Sequence, residues 1–197
     1  DRAEQLFVEL VDSPTQAEPS LERLVHIYER EKEWQKAIDV HRKLEILRGT
    51  RSSQVAHYYC ELAELARASG NRELAREHLR NSVRSESGAQ RGTLIRASLA
   101  QEEQDFGAAI ALYEQIIAAD SHFIIDVLPS LLQCYRSAGR NADFETYVES
   151  LLAQDPTLQR DLAFATIIGN LTDSPALATC VERFVFDNPV LAKLVNA

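Results

Sequence analysis

The 197-residue sequence has no methionine, one tryptophan, seven glycines and six prolines. So few chain-bending residues argue against an all-β fold, which needs many tight turns. No run of about 18 apolar residues occurs, so this stretch contains no candidate membrane span. Hydrophobic residues make up 45% and charged residues 26%, which excludes both a disordered chain and an integral membrane protein. The composition therefore predicts one globular domain or one repeat array.

The three cysteines, Cys60, Cys134 and Cys180, lie far apart in the sequence. No C-x-x-C pair occurs, whereas zinc sites and the disulfide frameworks of small domains need closely spaced cysteines. We therefore expect three buried, apolar thiols in a protein of a reducing compartment, and no metal site.

The charge is unevenly distributed along the chain, whose net charge is −9. Residues 1–100 carry 16 basic and 16 acidic side chains, whereas residues 101–197 carry 5 basic and 14 acidic ones. Because an acidic half repels a phosphate backbone, we expect no nucleic-acid partner.

Both ends of the sequence indicate a piece of a longer protein. It begins at Asp1 with a helical pattern and without a methionine, and it stops inside the apolar run 190–195. No basic segment followed by an apolar one marks a signal peptide. We expect the segments outside this sequence to include any targeting or catalytic part.

Apolar residues recur at i, i+3, i+4 and i+7 over nearly the whole chain, which is typical of amphipathic helices. Gly and Pro stand at the breaks, for example at Gly70, Gly139 and Pro156, where they end helices. The sequence therefore predicts an all-α fold.

One position recurs with a nearly constant period. Spacings of 34, 38, 34, 35 and 34 residues separate Ala3, Ala37, Ala75, Ala109, Phe144 and Ala178. This pattern resembles the tetratricopeptide repeat, two antiparallel helices in about 34 residues. Small residues such as Ala63 and Ala97 then allow close helix contact. We expect a right-handed α-solenoid over residues 1–197. Its units are 1–14 (second helix of a truncated repeat), 18–54, 56–88, 90–122, 125–156, 158–189 (degenerate) and 190–197 (start of a further helix).

The first helix of each unit of such a solenoid lines a concave groove, where extended partners bind. Counting from the packing positions gives the candidate groove residues. They are Glu22, His26, Glu29, Arg30, His57, Glu61, Glu64, Arg67, Arg91, Ser98, Gln101, Gln133 and Arg136. Both signs of charge are present, which suits a peptide or protein loop, although a solvated helix face has the same composition.

Two strings resemble the lipopolysaccharide assembly protein B family of Gram-negative bacteria: EWQKAIDV at 33–40 and AHYYCELA at 56–63. The second is the more specific, because neither His57 nor Cys60 belongs to the repeat consensus. The likeness continues in register over about 1–155 and weakens to 197.

The resemblance implies a regulator of lipopolysaccharide biosynthesis, cytoplasmic and held at the inner face of the inner membrane by an N-terminal helix. Family members work with a membrane-bound AAA+ protease to control the deacetylase that commits material to lipid A. They also carry a metal in a C-terminal rubredoxin-like domain with two C-x-x-C pairs. This sequence has neither the anchor nor those cysteines, so the resemblance implies no cofactor within it. The resemblance does imply protein partners, and it implies membrane contact only through the missing anchor. The chain could also form a homodimer, and the sequence does not decide this.

Enzyme motifs are missing from the sequence: there is no H-E-x-x-H, no G-x-S-x-G and no Gly-rich phosphate loop. His57 and Cys60 lie one helical turn apart, but no third group orients them for nucleophilic catalysis. We therefore expect a non-catalytic adaptor. The alternatives are a generic scaffold that binds the peptide tail of another complex, and a helical catalytic domain, which needs a closed pocket with convergent polar groups.

Overall fold

The computed structural model describes residues 2–13, 15–50, 52–82, 86–171 and 173–187, with the backbone alone at 86–89 and 187. Within these ranges the chain forms helices and turns and no β-strand. The helices are α1 Arg2–Leu10, α2 Ala17–Glu31, α3 Trp34–Arg48, α4 Gln54–Ala68, α5 Arg72–Ser82, α6 Glu86–Glu102, α7 Phe106–Ala119, α8 Ile124–Ser137, α9 Asn141–Gln154, α10 Gln159–Gly169 and α11 Pro175–Asp187. Single 3₁₀ turns, Ser121–Phe123 and Pro156–Leu158, precede α8 and α10.

Local chemistry sets several of the helix ends. Gly49, Gly70 and Gly139 follow α3, α4 and α8 with φ between 66° and 76°, a left-handed conformation that ends a helix at little cost in glycine. Asn170 takes the same role after α10, with φ 51°. At the start of α7, the Asp105 carboxylate accepts a 3.1 Å hydrogen bond from the Ala108 backbone N–H.

The chain divides into two compact units, residues 1–99 and 100–197. In the first unit α1 packs against α2, α2 against α3, α3 against α4, and α4 against α5. In the second unit α8 packs against α7, α9 and α10, and α11 packs against α9 and α10. Packing of each helix on its sequence neighbours is the arrangement of an all-α solenoid, which confirms the predicted fold class.

Small residues occupy the predicted close-packing positions. Ala37, Ala63, Ala75, Ala97 and Ala109 are all completely buried. A methyl side chain leaves room for a neighbouring helix backbone, so burial of these alanines brings helices close together.

The recurring position is less uniform elsewhere. Phe144 is completely buried and packs edge-on against Tyr135, with ring centroids 5.5 Å apart. Ala178 is half-buried. Ala3 is exposed, because α1 buries none of its residues completely.

All three cysteines are buried and free, as the sequence predicts. Burial raises the pKa of each thiol, to about 11 for Cys134, because the surrounding apolar groups do not solvate a thiolate. The thiols therefore act as small apolar side chains.

The predicted helix at 190–197 lies outside the described residues. The division of the chain into repeats, with the boundaries given above, stays a prediction.

Candidate partner-binding surface

Polar side chains from three helices meet on one surface of the first unit, which we name the three-helix polar face. It consists of His26 and Glu29 on α2, His57, Tyr58 and Glu61 on α4, and Arg91 on α6. All of these except Tyr58 belong to the predicted groove, and they come from the first helices of three successive predicted units. The contacts between them are specific hydrogen bonds and ion pairs.

Arg91 joins α6 to α4 through two contacts. Its Nη1 lies 2.7 Å from His57 Nδ1, and its Nη2 donates a 2.6 Å hydrogen bond to Glu61 Oε1. A guanidinium can only donate, so Nδ1 must be the acceptor and the proton of a neutral His57 must be on Nε2. This Nε2 lies 3.7 Å from Glu61 Oε1.

Tyr58 joins α4 to α2 from inside the core. Its side chain is completely buried, yet its hydroxyl donates a 2.6 Å hydrogen bond to Glu29 Oε1. Burial, and then the bond to the Glu29 carboxylate, raise the pKa of Tyr58 above its ordinary value. The other Glu29 oxygen lies 3.5 Å from His26 Nδ1. Tyr58 thus fixes a carboxylate that is itself on the surface.

Trp34 supports the same face from α3. Its ring stacks on Tyr58 at 6.0 Å and meets the edge of His57 at 6.3 Å. This half-buried tryptophan therefore packs against both rings, and the contact limits the orientations open to His57.

The other predicted residues of the first unit have separate contacts. Glu22 accepts a hydrogen bond from Arg48 at the end of α3. Glu64 and Arg67 pair with each other along α4, with 2.7 Å between Oε2 and Nη2. Ser98 Oγ donates to the Leu94 carbonyl at 3.1 Å, and Arg30 is exposed. None of the contacts named here involves Arg91.

In the second unit, Gln101 and Gln133 are brought together. Gln101 Nε2 donates to Gln133 Oε1 at 3.1 Å, and the Tyr113 hydroxyl donates to Gln101 Oε1 at 3.0 Å. Because both amides are neutral, this contact adds shape and hydrogen-bonding capacity to the surface but no charge.

Arg136 also lies in the second unit, where it bonds Asp173 beside an open cavity of about 580 Å³. Glu145 lines the same cavity and holds the start of α11. Its two oxygens accept 2.8 Å hydrogen bonds from the Ser174 hydroxyl and the Ala176 backbone N–H.

Sequence reasoning missed Tyr58, Glu145 and Asp173. The first is a core residue with one polar atom, and the other two contact residues about 30 to 40 positions away. A helical pattern assigns a residue to a face but does not show which distant side chain it reaches. The only sequence signal for Tyr58 was its place in the string 56–63, which resembles the family.

Curated relatives match nearly the whole chain. A protein of Escherichia coli (strain K12) is 26% identical over 192 residues, which are 97% of this chain and 49% of the relative. A protein of Haemophilus influenzae is 28% identical over 149 residues, 75% of this chain and 37% of the relative. Both bear the same name. This chain is similar to lipopolysaccharide assembly protein B. The predicted resemblance is confirmed.

The chain spans about half the length of the lipopolysaccharide assembly protein B sequences that it matches. No protein-family model matches it. The match includes α1 to α11 almost completely, so both compact units have counterparts in the relatives.

The described residues give little support to a catalytic reading. Cys60 is completely buried and its pKa is raised, while His57 turns its Nδ1 to Arg91, so the two do not form an activated pair. Within the ranges described, no three His, Cys, Asp or Glu side chains converge as metal ligands. Each helix there is too short or too polar to cross a bilayer. The helical fold and the relatives together favour an adaptor.

Proposed function

We propose that this chain is the protein-binding part of a non-catalytic adaptor that regulates lipopolysaccharide biosynthesis. The match to lipopolysaccharide assembly protein B over 97% of the chain supports this role. In the finer form of the proposal, the full-length protein lies at the cytoplasmic side of the inner membrane. There it acts with a membrane-bound AAA+ protease to control the deacetylase that commits material to lipid A.

The three-helix polar face is the observation that supports protein binding. His57, Glu61 and Arg91 are partly exposed, with 45%, 26% and 38% of their side-chain surface open to solvent. Their contacts hold them in fixed positions, so a partner would pay less conformational entropy to order them. Carboxylate, imidazole and guanidinium groups side by side offer both acceptors and donors to a polypeptide.

The two helix-joining contacts also give this face a defined geometry. Tyr58 ties Glu29 to α4, and Arg91 ties α6 to His57 and Glu61. A partner segment that crosses α2, α4 and α6 therefore meets side chains whose spacing is set by the packing of the helices beneath them. Solenoids bind extended partners in this way, with affinity spread over several units.

A charge exchange at Glu61 and Arg91 tests the proposal in the full-length protein in its native membrane. Arg91→Glu alone should lower capture of the AAA+ protease or of lipopolysaccharide-synthesis proteins several-fold. The new carboxylate would repel Glu61 and would also repel the partner group that Arg91 attracts. The double variant Glu61→Arg, Arg91→Glu restores an internal ion pair with reversed polarity. It should regain the wild-type melting temperature and still fail to capture the partner.

Arg23→Gln, at an exposed residue of α2 outside the face, is the control and should leave capture unchanged. Wild-type capture by the charge-exchanged double variant would show that this face does not bind the partner. If the wild type captures no lipopolysaccharide-synthesis protein, the proposed role in lipopolysaccharide biosynthesis is wrong.

A further inference from the structure

A cavity of about 340 Å³ lies between α5 and α6, away from the three-helix polar face. Arg76, Leu79 and Arg80 of α5 and Arg96 of α6 line it. Arg96 follows Arg91 by five residues, which is about 140° around a helix. The cavity therefore opens on a different side of α6 from the contacts that Arg91 makes with α4.

The walls of this cavity are held firmly. Leu79 is 2% exposed and packs in one cluster with Ala75, Ile95 and Leu99. At the crossing of the two helices, a Cβ atom on Gly92 would lie 2.7 Å from the Ser82 hydroxyl oxygen. The two helices therefore approach each other closely beside the cavity.

The charges around the cavity are unbalanced. Arg80 and Arg96 are exposed and form no hydrogen bond or ion pair with another described residue. Arg76 bonds Glu73, one turn before it on α5. Elsewhere in the first unit, Arg48 and Arg91 each bond a carboxylate of a neighbouring helix. Among the described residues that line the cavity, Arg80 and Arg96 thus leave two positive charges without a carboxylate, which creates a local positive potential in a chain of net charge −9.

We propose that this cavity binds a phosphate ester. Arg80 and Arg96 would bond the phosphate oxygens, and the organic part of the ester would occupy the rest of the cavity. A planar guanidinium matches two phosphate oxygens at once, and a doubly charged phosphate monoester balances two arginines where a carboxylate balances one. A volume of 340 Å³ falls within the range of small-ligand sites. A soluble ester and a lipid headgroup share this chemistry.

Phenyl phosphate is the soluble probe, because it is a phosphate monoester with a compact organic group, and inorganic phosphate is the comparison without that group. Calorimetry on the 197-residue chain should show binding of phenyl phosphate that Arg80→Gln with Arg96→Gln weakens at least about tenfold. Arg2→Gln with Arg23→Gln removes the same two charges from α1 and α2 and should leave the affinity unchanged. Arg80→Lys with Arg96→Lys keeps the charge but loses the paired hydrogen bonds. Its affinity for phenyl phosphate should therefore lie between that of the wild type and that of the double glutamine variant.

Vesicles of phosphatidylcholine with and without phosphatidic acid identify the source of the phosphate. Retention on phosphatidic acid vesicles alone, lost in the double glutamine variant, would assign the site to a lipid headgroup. Binding of phenyl phosphate without vesicle retention would assign it to a soluble ester. Equal weakening by the α1 and α2 control, no binding of either phosphate probe together with no retention on phosphatidic acid vesicles, or tighter binding of polyglutamate would overturn the proposal. Each variant is first shown to melt as the wild type does.

Discussion

The Tyr58 hydroxyl donates a 2.6 Å hydrogen bond to the Glu29 carboxylate from a side chain with no exposed surface. A core tyrosine thus bonds a charged side chain at the surface and joins α4 to α2. The core and the candidate binding face are therefore coupled, because the position of Glu29 depends on how Tyr58 packs against Trp34.

Removing this hydroxyl should destabilise the first unit and loosen Glu29. We expect Tyr58→Phe to lower the free energy of unfolding by about 1–2 kcal/mol, since hydrogen bonds to charged groups contribute more than neutral ones. Tyr113→Phe, which removes a 3.0 Å bond to the neutral Gln101 amide, should cost less. Urea melts of both variants measure the difference, and an equal or larger loss in Tyr113→Phe would contradict the role given to Glu29.

The close packing of small residues can be tested with two alanines of α7. Ala109 is completely buried, whereas Ala111 is exposed two residues away. We expect Ala109→Leu to cost about 1–3 kcal/mol by overpacking, and Ala111→Leu to stay within about 0.5 kcal/mol of the wild type. Equal denaturation midpoints for the two variants would rule out close packing at Ala109.

Two half-buried histidines should make the protein sensitive to mild acid. Burial lowers the pKa of both His41 and His78, and the Nδ1 atom of each is buried without a partner among the described residues. The unfolded chain therefore binds more protons near and below pH 6.5, so stability is fully present above that pH and decreases as the pH falls. Melting temperatures between pH 7.5 and 5 should show this loss.

Replacement of His41 separates this effect from general acid denaturation. His41→Phe keeps an aromatic ring beside Tyr58, whose centroid is 5.8 Å away, and removes the titrating group. We expect a smaller loss of melting temperature between pH 7.5 and 5 than in the wild type. His26→Gln, at an exposed histidine, should keep the wild-type dependence. An unchanged dependence in His41→Phe would assign the acid sensitivity to other groups.

Partner binding should be partly electrostatic in both units. We expect Arg67→Glu with Arg136→Glu to reduce partner capture by the full-length protein, and added salt to weaken wild-type capture. Each arginine pairs with a partly exposed carboxylate, so the melting temperature should change little. Immunoprecipitation at rising salt and the cellular lipopolysaccharide level are the measurements. Full retention of both by the double variant would place binding outside the predicted groove.

The residues of the candidate site show how far a helical pattern reaches. The helical period placed His57, Glu61 and Arg91 on the first helices of their predicted units. The structure brings these three side chains together. The same period put Glu22 in the groove, and the structure adds its hydrogen bond from Arg48 at the end of α3, which the period did not predict. Periodicity defines a direction around one helix, but a long side chain reaches whichever neighbour the packing provides.

The sequence by itself determined the helical class, helix ends such as those at Gly70 and Gly139, and the burial of the cysteines and of alanines such as Ala63 and Ala97. These depend on interactions within about one turn and on side-chain size, which are local properties of the chain. Only the tertiary structure decided which distant groups meet, such as Tyr58 with Glu29 and Arg91 with Glu61. Such contacts depend on the spacing and rotation of packed helices, and a difference of one ångström there makes or removes a hydrogen bond.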